Sequence, residues 1–142
     1  MKTKALSAAA CAAFLLLAGC SSDSSDAASG ENADTCTAFA TSHNDFVATV
    51  EAVPTDQAGV ETWTADKAAS LSEFTTQSEQ ATGDVKNALT TLVADLPGDS
   101  LELSEPDSES GQKFVDNSIA VASACEADGT AVTLDEFPLL KF

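Results

Sequence analysis

The sequence predicts an all-α protein, a small up-down-up-down four-helix bundle closed by one disulfide. Apolar residues recur at every third or fourth position in four separate segments, which is the period of helices with one buried face. No alternating pattern as long as a strand occurs before Val132. Two cysteines, Cys36 and Cys125, open the first of these segments and close the last. The 142 residues suffice for one domain and not for two.

The first predicted helix follows Asp34 and Thr35, whose side-chain oxygens can accept a hydrogen bond from a free backbone N–H of the first turn. It ends before Pro54, because a proline disfavours the α conformation in the residue that precedes it. The spacing of three and four residues predicts a buried face formed by Cys36, Phe39, His43, Phe46, Val50 and Val53.

Residues 57–96 are predicted to hold two helices that meet near Gly83. The apolar period continues across Gly83, so a single helix about 60 Å long, at 1.5 Å per residue, is the alternative. Two helices are favoured because no other segment could cover such a rod. Lys67 and Ser78 interrupt the apolar face of the first of them. The expected buried residues are Val60, Trp63, Leu71, Phe74 and Ala81, followed by Val85, Ala88, Leu89, Leu92, Val93 and Leu96.

An acidic connection at residues 97–109 leads to the fourth predicted helix, which runs from Glu109 to Ala127 and ends at Asp128-Gly129. Its expected inward residues are Phe114, Val115, Ile119, Val121, Ala122 and Cys125. The tail after it concentrates large apolar residues, namely Val132, Leu134, Phe137, Leu139, Leu140 and Phe142. We expect the tail to fold back and cover the bundle; a partner-binding segment is the alternative, since exposed apolar patches mark interfaces.

The two cysteines of the helical region are expected to form a Cys36–Cys125 disulfide. In an up-down-up-down bundle the start of the first helix and the end of the fourth lie at the same end. In the chain-entropy model, closing a loop of about 90 residues removes roughly 4.6 kcal/mol of unfolded-chain entropy. A redox or metal-binding pair is disfavoured, because the spacing is not C-x-x-C and no histidine cluster accompanies it.

The first twenty residues have the organisation of an export signal. A cationic start, Met1–Lys4, precedes a thirteen-residue, predominantly apolar region, too short to span a bilayer of about 30 Å. The sequence Leu17-Ala18-Gly19-Cys20 then resembles the lipobox of bacterial lipoproteins. The resemblance implies that residues 1–19 are a signal peptide and that Cys20 becomes the N-terminus, carrying acyl chains such as palmitate. The alternative is an ordinary secretory signal cut after Ala18 or Gly19.

Residues 20–33 are expected to form the lipidated cysteine and a flexible tether, because Ser, Asp, Ala and Gly cannot bury enough surface to offset their ordering entropy. Thirteen flexible residues reach roughly 20 Å. Loss of Lys2 and Lys4 with the signal changes the formal charge of −17 to −19, which anionic headgroups repel. Membrane attachment must therefore come from the acyl chains on Cys20, outside the cytoplasm. The helical bundle domain occupies residues 34–142.

The composition excludes several function classes. With 23 acidic residues and six lysines, the chain cannot neutralise phosphates, so nucleic acid is excluded as a partner. His43 is the only histidine, so a Ser-His-Asp set or a zinc site would depend on it alone. The acidic residues at 95–109 lack the alternating pattern of a calcium loop. We expect no enzyme, no cofactor and no dedicated metal site.

A tether, a cysteine at the entry of the first helix and a cysteine at the exit of the last resemble the small helical lipoproteins of unknown function of high-GC Gram-positive bacteria, over residues 36–128. The resemblance supplies no catalytic residue. The anchor, the tether and a bundle without a recognisable site together lead us to expect a non-enzymatic, lipid-anchored, extracytoplasmic module that contacts another protein of the cell envelope. The alternative is a capture protein that holds a small apolar molecule between the helices, around Trp63, Phe39, Phe46 and Phe74.

Overall fold

The computed structural model describes residues 30–139, and these residues contain helices and no strand. In chain order the elements are α1 (Ala33–Glu51), α2 (Gln57–Gln80), α3 (Gly83–Ala94), a short 3-10 helix (Glu102–Ser104) and α4 (Glu109–Ala127). The predicted all-α fold is confirmed. The predicted signal peptide, the lipidation site Cys20 and the apolar residues Leu140 and Phe142 lie outside the described residues.

The helices run up, down, up and down. Gln77, near the end of α2, donates a hydrogen bond to Ser42 in the first half of α1 at 2.8 Å, whereas Trp63, near the start of α2, donates from Nε1 to the backbone oxygen of Thr49. The two helices are therefore antiparallel. Cys36 at the start of α1 is bonded to Cys125 at the end of α4, with 5.8 Å between their Cα atoms. The predicted disulfide is confirmed.

A sharp turn separates α2 from α3. Ala81 and Thr82 adopt extended backbone conformations, and Gly83 has a φ of +56°, a region that L side chains rarely adopt. The turn reverses the chain, so α3 returns along α2. The prediction of two helices is confirmed, and the alternative of one long rod is wrong.

The core lies along the bundle axis and is rich in aromatic rings. The ring centroids of Phe39 and Phe74 lie 5.7 Å apart, and those of Phe46 and Phe114 lie 5.3 Å apart, at distances typical of favourable aromatic pairs. The buried apolar residues are Cys36, Phe39, Phe46, Val47, Val50, Leu71, Phe74, Ala81, Val85, Leu89, Leu92, Leu103, Phe114, Val121, Cys125 and Phe137.

The C-terminal tail packs on the bundle along α1 and α4. The Phe137 ring is buried and lies 5.9 Å from Phe46 of α1 and 5.1 Å from Phe114 of α4, measured between centroids. Asn44 of α1 binds the tail backbone twice, because its Nδ2 donates to the oxygen of Thr133 and its Oδ1 accepts from the N–H of Asp135. Over residues 130–139, the expectation that the tail covers the bundle is confirmed.

Three residues expected in the core are exposed. Val53 is 67% exposed because α1 ends at Glu51, which leaves Val53 beyond the last helical turn. Val60 is 44% exposed because it lies in the first turn of α2, next to the point where α1 ends. Ile119 is 58% exposed because its neighbour Ser118 occupies the inward position of α4.

The N-terminal boundary of α1 also differs from the expected one. The N-cap is Asn32, and Asp34 lies in the first turn. Residues 30–33, expected in the tether, contact the bundle, and Asn32 is buried. None of the helices within residues 30–139 has both the length and the apolar character that crossing a membrane requires.

Candidate functional site

The end of the bundle where the chain enters is held together by polar bonds, and we call it the tether end. The backbone N–H of Asn32 donates to Oδ2 of Asp128 at 2.9 Å, and the Asn32 side-chain oxygen accepts from the N–H of Thr82 at 2.8 Å. Asn32 thus connects the start of α1 with the start of α3 and the end of α4. The disulfide lies about one turn further in. These polar groups bind one another within the bundle and therefore stabilise the fold.

The opposite end, the distal end, exposes large apolar side chains. Val53 follows α1, Val60 lies in the first turn of α2, and Leu101, which is 39% exposed, lies in the connection between α3 and α4. With 19 residues, α1 separates the two ends by about 28 Å at 1.5 Å per residue. Exposed apolar groups that gather at one end of a small domain indicate a contact surface.

Trp63 lines one hollow together with Val53, lies about one helical turn after Val60, and is fixed in position. It is half-buried, its indole N–H donates to the Thr49 oxygen, and the ammonium of Lys67 lies 3.7 Å from its ring centroid. We define the distal edge as Val53, Val60 and Trp63. A fixed aromatic wall loses little conformational entropy when another molecule packs against it.

Two hollows share Trp63 as part of their walls. The larger, of about 520 Å³, lies along the α1–α2 turn and includes Pro54. The smaller, of about 280 Å³, is formed by Val50, Val53, Ser104 and Pro138 together with Trp63 and Glu51. The smaller hollow is the more apolar of the two, and it is assembled from α1, α2, the α3–α4 connection and the tail.

Carboxylates surround the distal edge. Asp56 and Asp66 line the larger hollow and Glu51 lines the smaller one, and all three residues are exposed. Asp56 also begins α2, because its Oδ1 accepts a hydrogen bond from the N–H of Gly59 at 2.8 Å. The edge therefore combines an apolar centre with a negatively charged surround.

The residues expected to hold an apolar ligand do not form one site. Phe39, Phe46 and Phe74 are fully buried and pack against other core rings, so their volume belongs to the core. None of the three lines either hollow at the distal edge. Of the four predicted residues, Trp63 is the one that lines these two hollows.

His43 is a core residue of α1. Its ring stacks parallel on Phe114 at 5.5 Å between centroids, and its Nδ1 lies 3.3 Å from the Asn44 side-chain oxygen. Because that oxygen accepts the hydrogen bond, Nδ1 carries the proton. Burial lowers the pKa of His43, and the Asn44 hydrogen bond and the charge of Asp135 only partly oppose this. The neutral ring supports the tail.

A shallow cleft runs between α1, α4 and the tail, with a volume of about 730 Å³. Ile119 and Val115 of α4 line it together with His43 and the tail residues Leu134 and Pro138.

Within residues 30–139 no group of three or more His, Cys, Asp or Glu side chains is arranged to hold a metal ion. The acidic residues of the α3–α4 connection form no such group either.

Sequence periodicity assigned Val53 and Val60 to the core and therefore missed the distal edge. Pro54 gave the available signal, because a helix that must end before a proline cannot present Val53 on the same face as Val50. The exposure of Val60 follows from the antiparallel register of α1 and α2, which no local sequence pattern specifies.

Comparison with known proteins gives no relative for this chain: no protein-family model, no curated protein and no solved structure matches it.

Proposed function

We propose that this protein is a lipid-anchored, extracytoplasmic and non-enzymatic module that binds another protein of the cell envelope through its distal edge. The observation that carries the proposal is the exposure of Val53 and Val60 beside the fixed Trp63, at the end of the bundle opposite the predicted anchor. A tether attached at Asn32 leaves that end free to meet a partner.

The anchor rests on the resemblance of residues 17–20 to a lipobox. Two or more acyl chains on one N-terminus give stable membrane attachment. A Cys20→Ala variant is expected to leave the membrane fraction, whereas a variant with Cys36 and Cys125 both replaced by alanine should stay with it. If the Cys20→Ala protein partitions into detergent as the native protein does, the anchor is refuted and the proposed location is lost with it.

A photo-crosslinking side chain placed at Val60 tests the distal contact in cells. The matched control places the same group at Thr76, an exposed residue of the same helix near the tether end. We expect position 60, and not position 76, to give an adduct with an envelope protein. Equal adducts from both positions, or none from position 60, would contradict a docking role for this edge.

The alternative of ligand capture predicts a different result. A protein that holds a small apolar molecule should carry it through purification, so native mass spectrometry of the intact chain should show an added mass. The close packing of Phe39, Phe46 and Phe74 favours the docking proposal, since these rings fill the space that a ligand would need. An added mass that disappears on denaturation would reverse this preference.

A further inference from the structure

The distal edge has the composition of a specific binding surface. Trp63 is the only tryptophan of the chain, and tryptophan is enriched among residues that dominate binding energy at interfaces. Its ring forms part of the wall of two hollows, and Val53 and Val60 add exposed apolar area next to it. An apolar side chain of a partner can therefore be buried against Trp63.

The charges around the edge restrict what the partner can be. Glu51, Asp56 and Asp66 line the hollows. Within residues 30–139 no lysine forms an ion pair with them: Lys67 is buried under the Trp63 ring, and the ion pair of this region joins Lys113 to Glu109 at 3.3 Å. A partner that brought carboxylates or phosphates to this edge would be repelled by these three carboxylates, which disfavours anionic lipid headgroups and acidic proteins alike.

We infer that the distal edge binds a segment of the partner protein in which lysine or arginine side chains flank an apolar anchor. This inference rests on the proposed function, because it names the chemistry of the partner at the same edge. The apolar anchor packs on Trp63, and the cations lie against Glu51, Asp56 and Asp66. The net charge of −17 also attracts a cationic segment from a distance, which raises the rate of association.

Three synthetic peptides of equal length test the chemistry, with Trp63 fluorescence of the intact mature chain as the readout. One alternates lysine with leucine, one replaces the lysines with glutamate, and one replaces the leucines with serine. The lysine–leucine peptide should change the fluorescence in a saturable way. Raising the salt concentration from about 50 mM to about 500 mM should weaken the binding of this peptide. The glutamate peptide should give no change, and the serine peptide should bind much more weakly.

A matched pair of charge variants separates the edge from the general charge of the protein. The variant Glu51→Gln, Asp56→Asn, Asp66→Asn removes the carboxylates of the edge, and asparagine at position 56 still caps α2. The control Glu31→Gln, Glu79→Gln, Glu126→Gln removes three exposed carboxylates away from the edge and has the same net charge. The first should weaken lysine–leucine binding about tenfold, at roughly twofold to threefold for each exposed charge, and the second much less.

The outcomes distinguish the inference from the proposed function. If position 60 crosslinks to a partner but the glutamate peptide binds as well as the lysine peptide, docking stands and the inferred chemistry is wrong. If both charge variants weaken binding equally, the attraction is general and the inferred site is wrong. If the lysine–leucine peptide binds at the edge but position 60 gives no adduct in cells, the chemistry stands and the proposed function is wrong.

Discussion

Lys67 carries a charged group into the bundle. The side chain is fully buried, its ammonium has no hydrogen-bond partner within residues 30–139, and its contact with the Trp63 ring returns only part of the lost hydration. Replacement by methionine keeps an unbranched apolar stem and removes the charge. We expect Lys67→Met to raise the free energy of unfolding by about 1–2 kcal/mol near neutral pH, as measured by urea denaturation.

The pH dependence of this gain identifies its cause. Burial lowers the pKa of Lys67, and the charge of Asp99 opposes this only in part. Because the unfolded chain binds the proton more tightly, the native protein gains stability as the pH rises through the folded pKa toward the unfolded value of about 10.4. The methionine variant lacks this gain, so its advantage should shrink in alkaline buffer. A constant advantage would contradict a charge-burial penalty.

Gly111 permits a close approach between α4 and the 3-10 helix. A methyl group at this position would overlap the backbone oxygen of Leu103 and press on Leu139 of the tail. We expect Gly111→Ala to lower the free energy of unfolding by about 1–3 kcal/mol, although alanine is the better helix former by about 1 kcal/mol. Gly98→Ala is the control, since nothing lies within 4 Å of the added methyl group. Equal thermal midpoints for the two variants would refute this role.

At single positions the sequence predicted buried faces better than it predicted their limits. The apolar period correctly placed Phe39, Phe46 and Phe74 in the core. It also placed Val53 there, because a periodic pattern continues to assign faces after the helix has ended. Lys67, expected as an interruption of the apolar face, is buried with its charge, and only tertiary packing decides where such a long side chain goes.

Among the elements, the tail contributes to stability without regular secondary structure. Phe137 packs its ring against Phe46 and Phe114, which also contact each other, and within residues 130–139 it is the buried side chain. We expect Phe137→Ala to lower the free energy of unfolding by about 3 kcal/mol, because a large buried ring is lost and a cavity remains. Ile119→Ala, at an exposed position of α4, should change it by less than about 1 kcal/mol. Similar losses from both variants would show that the tail does not support the core.

The position of the tail could be anticipated only in part. The concentration of apolar residues predicted that it would cover the bundle, and Phe137 does so. The tail lies in the groove between α1 and α4, where the Asn44 side chain forms two hydrogen bonds with the tail backbone. A single asparagine in a helix gives no local sign of this role, because both of its partners lie about 90 residues away in the chain.

At the scale of the whole molecule, the cysteine positions were the most informative feature of the sequence. An even number of helices and one cysteine at each extreme are compatible with an up-down-up-down order, and the Cys36–Cys125 bond follows this order. The distal edge could not be predicted in the same way. Val53 lies in the α1–α2 turn, and Val60 and Trp63 lie near the start of α2, so the edge depends on the antiparallel register of α1 and α2.

The disulfide should supply a large part of the stability of this strongly acidic protein. It joins residues 89 positions apart, and the chain-entropy model assigns such a loop roughly 4–5 kcal/mol, within a usual range of about 2–5 kcal/mol. Reduction should therefore lower the free energy of unfolding by about 2–5 kcal/mol, as measured by urea titration of the oxidised and the reduced protein. A variant with both Cys36 and Cys125 replaced by alanine should not respond to reductant. A loss below about 1 kcal/mol on reduction would mean that the unfolded chain is already compact enough to hold its ends close.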